Sequence, residues 1–302
     1  MKLITVLILF LSISASSRAN DLDSLKEVIH TTKGGDLIQT AILIGKENYK
    51  RTVYDSATSF YKVGLEEAER VQDYLSAGKI CNNLGVIEYR KGSSAKAILN
   101  YQETLKYYRK TNNDTLVGNA LINLGMAYKK LVIYDKALTM LQDGVRILER
   151  LNEEENLAKG LNALANIYKK TNDFDRAFEY HGMSLKLKQK RKDLKGIAVS
   201  LQNLGLVHSK LGQLDSALIY FQRSLEIKRK VPNAKKLIPS TLSQLGEMYL
   251  NFQDYTKSEL FLKESLELRM ENEDANGVAV IANQLANSYL VQDRLSEAFK
   301  YL

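Results

Sequence analysis

A forty-residue period runs through this chain and limits its fold more than any other property. The pairs Asn83-Leu84, Asn123-Leu124, Ala163-Leu164, Asn203-Leu204, Gln244-Leu245 and Gln284-Leu285 space their leucines at steps of 40, 40, 40, 41 and 40. The next residue is Gly85, Gly125, Gly205 or Gly246 in four units and Ala165 or Ala286 in two. Thirteen residues after each leucine stands another small one: Ala97, Ala137, Ala177, Ala217, Ser258 and Ala298. One period earlier, Ile44-Gly45 and Ala57 mark a more diverged unit. Self-similarity at this length signals stacked units, each covering its neighbour's apolar face.

Each unit reads as two helices. Leu121, Leu124, Gly125 and Tyr128 fall at the i, i+3, i+4, i+7 spacing of a helix face, as do Leu201, Leu204, Gly205 and His208. A short turn follows, such as Lys210 to Asp215, in which Gly212 suits a left-handed helix end and Asp215 is expected to cap the next helix. Small residues at Gly85 and Ala97 let the two helices approach closely. Pro232 and Pro239 are the only prolines in 302 residues, which favours long helices. The single cysteine, Cys81, lies on the buried stripe and excludes an internal disulfide or a thiolate metal cluster.

These residues resemble the tetratricopeptide repeat. The match comprises the Leu-Gly pair, the aromatic four residues after the leucine (Tyr128, Tyr168, Tyr249, Tyr289) and the Tyr/Phe-Asp turn (Tyr134-Asp135, Phe174-Asp175). It continues with the alanine that follows and a further aromatic, Tyr101 or Phe221. The period of 40 and the missing closing proline are similar to the long-helix variant of kinesin light chains and several bacterial regulatory proteins. Glu88, His181, His208 and Ser258 depart from the pattern. The resemblance implies an all-α, tetratricopeptide-type solenoid, a right-handed superhelix of antiparallel helix pairs. It covers residues 36–302, as six full repeats and an incomplete seventh.

The ends carry separate signals. Residues 1–19 join Lys2, the apolar run Leu3 to Ile13 and the small residues around Ala19, the pattern of a secretory leader. Export to a periplasm is therefore expected, with an uncleaved membrane anchor as the alternative; no cysteine follows the run to carry a lipid. Residues 20–35 are expected to form a capping helix from Asp21 to Thr32, closed by Lys33-Gly34-Gly35. The sequence stops at Phe299 to Leu302, inside a second helix, so a longer protein, with a membrane span beyond, is expected.

No catalytic chemistry emerges. His30, His181 and His208 lack the i, i+4 pairing of a helical metal site, and Gly45-Lys46 lacks the earlier glycine of a phosphate loop. No enzyme, metal or cofactor is expected within residues 20–302. The net charge of +8 is interleaved with acids, as in Lys263-Glu264, which argues against nucleic acid as the partner.

Binding chemistry does emerge. Before each leucine stand two columns, Asn82, Ile122, Asn162, Gln202, Ser243, Asn283 and Asn83, Asn123, Ala163, Asn203, Gln244, Gln284; every unit has an amide in at least one. An amide offers a donor and an acceptor together, as an extended peptide backbone does. The resemblance implies that this face lines the inner groove, with the amides as a peptide-binding ladder. Two helical turns on, Arg90, Lys130, Lys170 and Lys210 share that face, followed by the uncharged Asn251 and Val291. The expected partner is an extended, acidic protein or peptide segment. The competing reading is the exported sensory part of a signalling receptor with a kinase, cyclase or DNA-binding output.

Overall fold

Three-residue turns set most helix boundaries in the computed structural model, which describes residues 31–302. The leader and most of the expected capping helix lie outside the described residues. Contacts divide the chain into two compact units, residues 1–156 and 157–302. In the first, α1 (Gly34–Lys50), α2 (Tyr54–Arg70), α3 (Tyr74–Arg90), α4 (Ser94–Arg109), α5 (Asp114–Lys130) and α6 (Tyr134–Arg150) follow one another. They pack as the pairs α1–α2, α3–α4 and α5–α6, each pair against the next. Helix α7 (Glu154–Lys170) opens just before the second unit, which continues with α8 (Phe174–Lys190), α9 (Leu194–Lys210) and α10 (Leu214–Lys230). A 3-10 helix (Pro232–Leu237) leads to α11 (Ile238–Asn251), α12 (Tyr255–Glu271), α13 (Ala275–Leu290) and the short α14 (Leu295–Ala298). Among the described residues all helices are α apart from that 3-10 turn, and each unit is a tetratricopeptide-type stack of helix pairs.

The small residue after each leucine accommodates the second helix of its own pair. A Cβ added at Gly85 would lie 2.5 Å from the Tyr101 ring, and one at Gly205 would lie 2.7 Å from Phe221. Both rings are buried and anchor the local core, Tyr101 with Leu105, Leu121 and Leu124, Phe221 with Leu225, Leu242 and Leu245. The forty-one-residue step has a physical form: the 3-10 helix replaces the usual turn before α11, with Pro232 at its start and Pro239 in the first turn of α11.

Two expected boundaries move. Gly34 and Gly35, expected to close the preceding helix, open α1 instead, and the Gly34 N–H donates to the Glu67 carboxylate. Asp215 is not the cap of α10; Gln213 holds that position, and Asp215 lies in the first turn, where its charge suits the helix dipole. Asp73, Asp193 and Asp274 do cap, accepting from the N–H groups of Ser76, Gly196 and Gly277.

The second unit buries more polar groups than a plain apolar stack would. Ser184, Ser224 and Ser265 donate to the carbonyls of Ala158, Ala198 and Pro239, each 26 residues earlier, at 2.7–2.9 Å. His181 takes the place in its pair that Tyr101 and Phe221 hold in theirs, and neither ring nitrogen has a hydrogen-bond partner. Burial, reinforced by Lys169 and Lys188, pushes its pKa down from 6.5 to about 3.

Two predictions follow from this packing. The middle residue of each turn takes a positive φ, and Val132 does so at 63° with its side chain 65% exposed. Asparagine occupies that turn position at 112, 152 and 172. A β-branched residue is strained there, so Val132→Asn should raise unfolding stability by about 1 kcal/mol in a denaturant titration. For His181, the unfolded chain binds a proton below pH 6.5 and the folded chain does not until about pH 3. Its contribution is therefore intact above pH 6.5 and declines as pH falls, by up to about 1.4 kcal/mol per unit. Unfolding curves of His181→Leu between pH 7 and 4 should show a shallower loss than the native protein.

Candidate functional site

The first helices of successive pairs bring the amide columns together. In the first unit, Asn82 and Asn83 of α3 line a cavity of about 370 Å³ with Lys79 from the same helix, Lys46 and Tyr49 from α1, and Tyr61 from α2. Tyr61 is buried, which pushes its hydroxyl up to about 12, while its hydrogen bond to Asn83 acts in the opposite direction. Lys50, also on the wall, is 3.3 Å from Glu47. Lys46 and Lys79 have no acidic partner among the described residues. The cavity therefore combines two amides, two uncompensated ammonium groups and aromatic walls.

The two amide columns pair with each other. Asn123 Nδ2 donates to Asn82 Oδ1 at 2.9 Å, and in the second unit Asn203 Nδ2 donates to Asn162 Oδ1 at 3.0 Å. Gln202 Nε2 donates to Gln244 Oε1 at 2.8 Å and to Ser240 Oγ at 2.7 Å. One column of a repeat thus meets the other column of the next repeat. Of the three positions where a column lacks its amide, Ile122 and Ala163 are buried and Ser243 is half-buried. Gln284 Oε1 is buried without a partner and belongs to a cavity of about 160 Å³ with Glu247 and Asn287.

The cation row, expected to share one face, divides in its contacts. Arg90 lies 5.3 Å from the centre of the Tyr49 ring. Lys130 lies 4.5 Å from the Tyr89 ring and donates to the Tyr89 carbonyl at 2.8 Å. These two cations join neighbouring repeats through cation–π contacts and a helix C-terminus. In the second unit the residue one period and one position before Lys210 is Lys169 instead of tyrosine. Lys170 and Lys210 line a cavity of about 420 Å³ with Lys169, Asn172, Phe174 and Leu206. Lys170 and Lys210 thus gather like charges around a partly apolar hollow.

Three contributors were missed in the sequence. Lys228 is 0% exposed, and its ammonium donates to Gln202 Oε1, to Thr241 Oγ1 at 2.6 Å and to the Leu237 carbonyl at 3.2 Å. Lys188, one period earlier, donates to Ser200 Oγ at 2.8 Å. Burial lowers the pKa of both, that of Lys228 to about 8. The third is Tyr61. The available signal was the column itself, in which Ala68, Tyr108 and Leu148 give way to Lys188 and Lys228. Cys81 is buried, its thiol pushed up to about 12, and is no nucleophile. Among the described residues no cluster of three histidine, cysteine or acidic side chains could hold a metal, and no helix is long and apolar enough to cross a membrane.

The model of the tetratricopeptide repeat matches residues 116–190 and 156–230, and a second such model matches 241–275. The chain carries tetratricopeptide repeats. Solved structures are similar in fold. The apo form of the quorum sensor NprR from B. thuringiensis matches over 99% of this chain and 84% of its own, at 19% identity and a TM-score of 0.76. The apo form of RapI matches over 94% and 78%, at 17% identity and 0.74. BtubC from P. vanneervenii matches over 72% and 91%, at 22% identity and 0.64. No curated protein matches the sequence.

The division of the cations is testable in the tetratricopeptide frame. Lys130→Met removes an inter-repeat contact and should lower stability by about 0.5–1 kcal/mol. Lys170→Met with Lys210→Met relieves repulsion and should leave stability unchanged or higher in the same denaturant titration.

Proposed function

We propose that this chain is a protein-interaction scaffold whose amide-bearing first helices receive an extended peptide segment. The observation that carries the reading is the first-unit cavity, where Asn82 and Asn83 stand beside Lys46 and Lys79 without acidic partners. An acidic preference follows from those ammonium groups and, separately, from the hollow of Lys169, Lys170 and Lys210. A neutral hydrogen bond contributes about 0.5–1.5 kcal/mol net, so useful affinity needs several amides together. Residues 1–19 support an exported protein, since their leader pattern is the only targeting signal read in the sequence.

A sensory role is the second reading. It is favoured by the fold likeness to a quorum sensor over nearly the whole chain. In it, the same helix faces detect a segment and pass the change to a domain elsewhere in a longer protein.

Changing Asn83, Asn123 and Asn203 together to alanine tests the scaffold. Capture of acidic peptides from a random library should fall at least tenfold, while helicity by circular dichroism stays unchanged. Unaltered capture would remove the amide face from the mechanism.

A further inference from the structure

The buried ammonium of Lys228 has no acidic partner. Its three hydrogen-bond acceptors are Gln202 Oε1, Thr241 Oγ1 and the Leu237 carbonyl, all uncharged. An ammonium has no acceptor capacity, so the Gln202 amide can turn only its oxygen inward. Its nitrogen must then face the other way, where it donates to Ser240 Oγ and to Gln244 Oε1. The oxygen of Gln244 is thereby turned toward Gln202, and both of its N–H groups stay available. The Asn82–Asn123 and Asn162–Asn203 pairs have no such cation as a hydrogen-bond partner among the described residues, so nothing comparable dictates which end of each amide faces which way.

We infer that Lys228 is a positioning residue that locks the orientation of the Gln202–Gln244 pair, so that Gln244 presents both N–H groups to a carbonyl or carboxylate oxygen of the bound segment. The inference rests on the peptide-binding reading for its ligand, and on geometry alone for the lock. A hydrogen-bond chain that starts on a cation polarises each member in turn, so the Gln244 N–H groups are stronger donors than those of a solvated glutamine. The 3-10 turn contributes directly. The Leu237 carbonyl lies at its end, so the insertion that breaks the forty-residue step supplies one of the three acceptors, while Thr241 of α11 stands where Ser200 stands one repeat earlier. Lys188 donates to Ser200 and touches no amide of the ladder among the described residues, which leaves the lock to Lys228.

The test uses the full chain and reads the side-chain amides by 15N–1H spectroscopy. In the native protein, the Gln202 and Gln244 NH2 signals should lie away from those of free glutamine and exchange slowly. Lys228→Met should return both to free values, whereas a Gln244 signal unchanged in that variant would overturn the relay. If Lys228→Met does not fold, the native protein decides. Burial holds Lys228 near pKa 8, and no other ionisable side chain is among the partners of Lys228, Gln202 or Gln244. Raising the pH from 7 to 9.5 should then move both amide signals with one midpoint, and movement of Gln202 without Gln244 would overturn the relay. For the ligand, N-acetyl octaglutamate amide should bind about tenfold more weakly to Lys228→Met than to the native chain. Equal binding to both overturns the role of the Gln244 N–H groups in holding the segment. A native chain with locked amides that binds no octaglutamate sinks the peptide reading and confines Lys228 to positioning its two glutamines.

Discussion

The close approach of two helices at a missing side chain is the contact on which the rest depends. At Gly85 and Gly205 the neighbouring ring of Tyr101 or Phe221 occupies the space a Cβ would need. That single contact fixes how far apart the helices of a pair lie and which face of the first one is buried. The opposite face of the first helix is then left for other work, since a helix with one buried stripe has its remaining surface free. The amide columns lie on that second face only because glycine and leucine commit the first.

Once the buried stripe is fixed, the two units use their interiors differently. In the first unit the column at the end of the second helices is Ala68, Tyr108 and Leu148, all buried and apolar. In the second unit the same column holds Lys188 and Lys228, and the serines at 184, 224 and 265 bind backbone carbonyls across the pair. An ammonium in such a place costs several kcal/mol of desolvation before any contact is made. Three neutral acceptors around Lys228 offset part of that cost, and the lowered pKa records what remains. A methyl-terminated side chain would fit the column more cheaply. The charge is thus better understood through what it does to Gln202 than through stability.

The fold was legible because its determinants are periodic: a repeated Leu-Gly and a small residue thirteen later leave few architectures open. The amide face was legible for the same reason, and Asn82 with Asn83 does line a cavity. What escaped depends on residues that break the period or on the partner one repeat away. Arg90 and Lys130 could be placed on a face from spacing, but their tyrosine partners lie 41 residues back on another helix. The cap expected at Asp215 falls two residues earlier because glutamine can hold an N-cap position when the turn geometry is already set by Gly212. Lys228 was passed over because a lysine near a helix C-terminus normally reads as solvated, whereas here the Leu237 carbonyl, Thr241 and Gln202 close around it.

Pairing between the amide columns changes what a ligand must do. An amide with two solvated ends can bind a peptide at little cost, whereas Asn123 and Asn203 already donate across their repeat junctions. A bound segment therefore has to use the remaining N–H and the remaining oxygen lone pairs, or break a bond that joins two repeats. The first option keeps the stack rigid and makes the ladder a preorganised surface, which lowers the ordering cost of binding. The second would couple ligand binding to the spacing of the repeats, because each amide bond broken loosens the junction it spans. The Gln202–Gln244 junction resists the second route, since its oxygens are engaged by a buried cation and by its own partner. The junctions without such a cation are then the ones at which binding could be transmitted as movement.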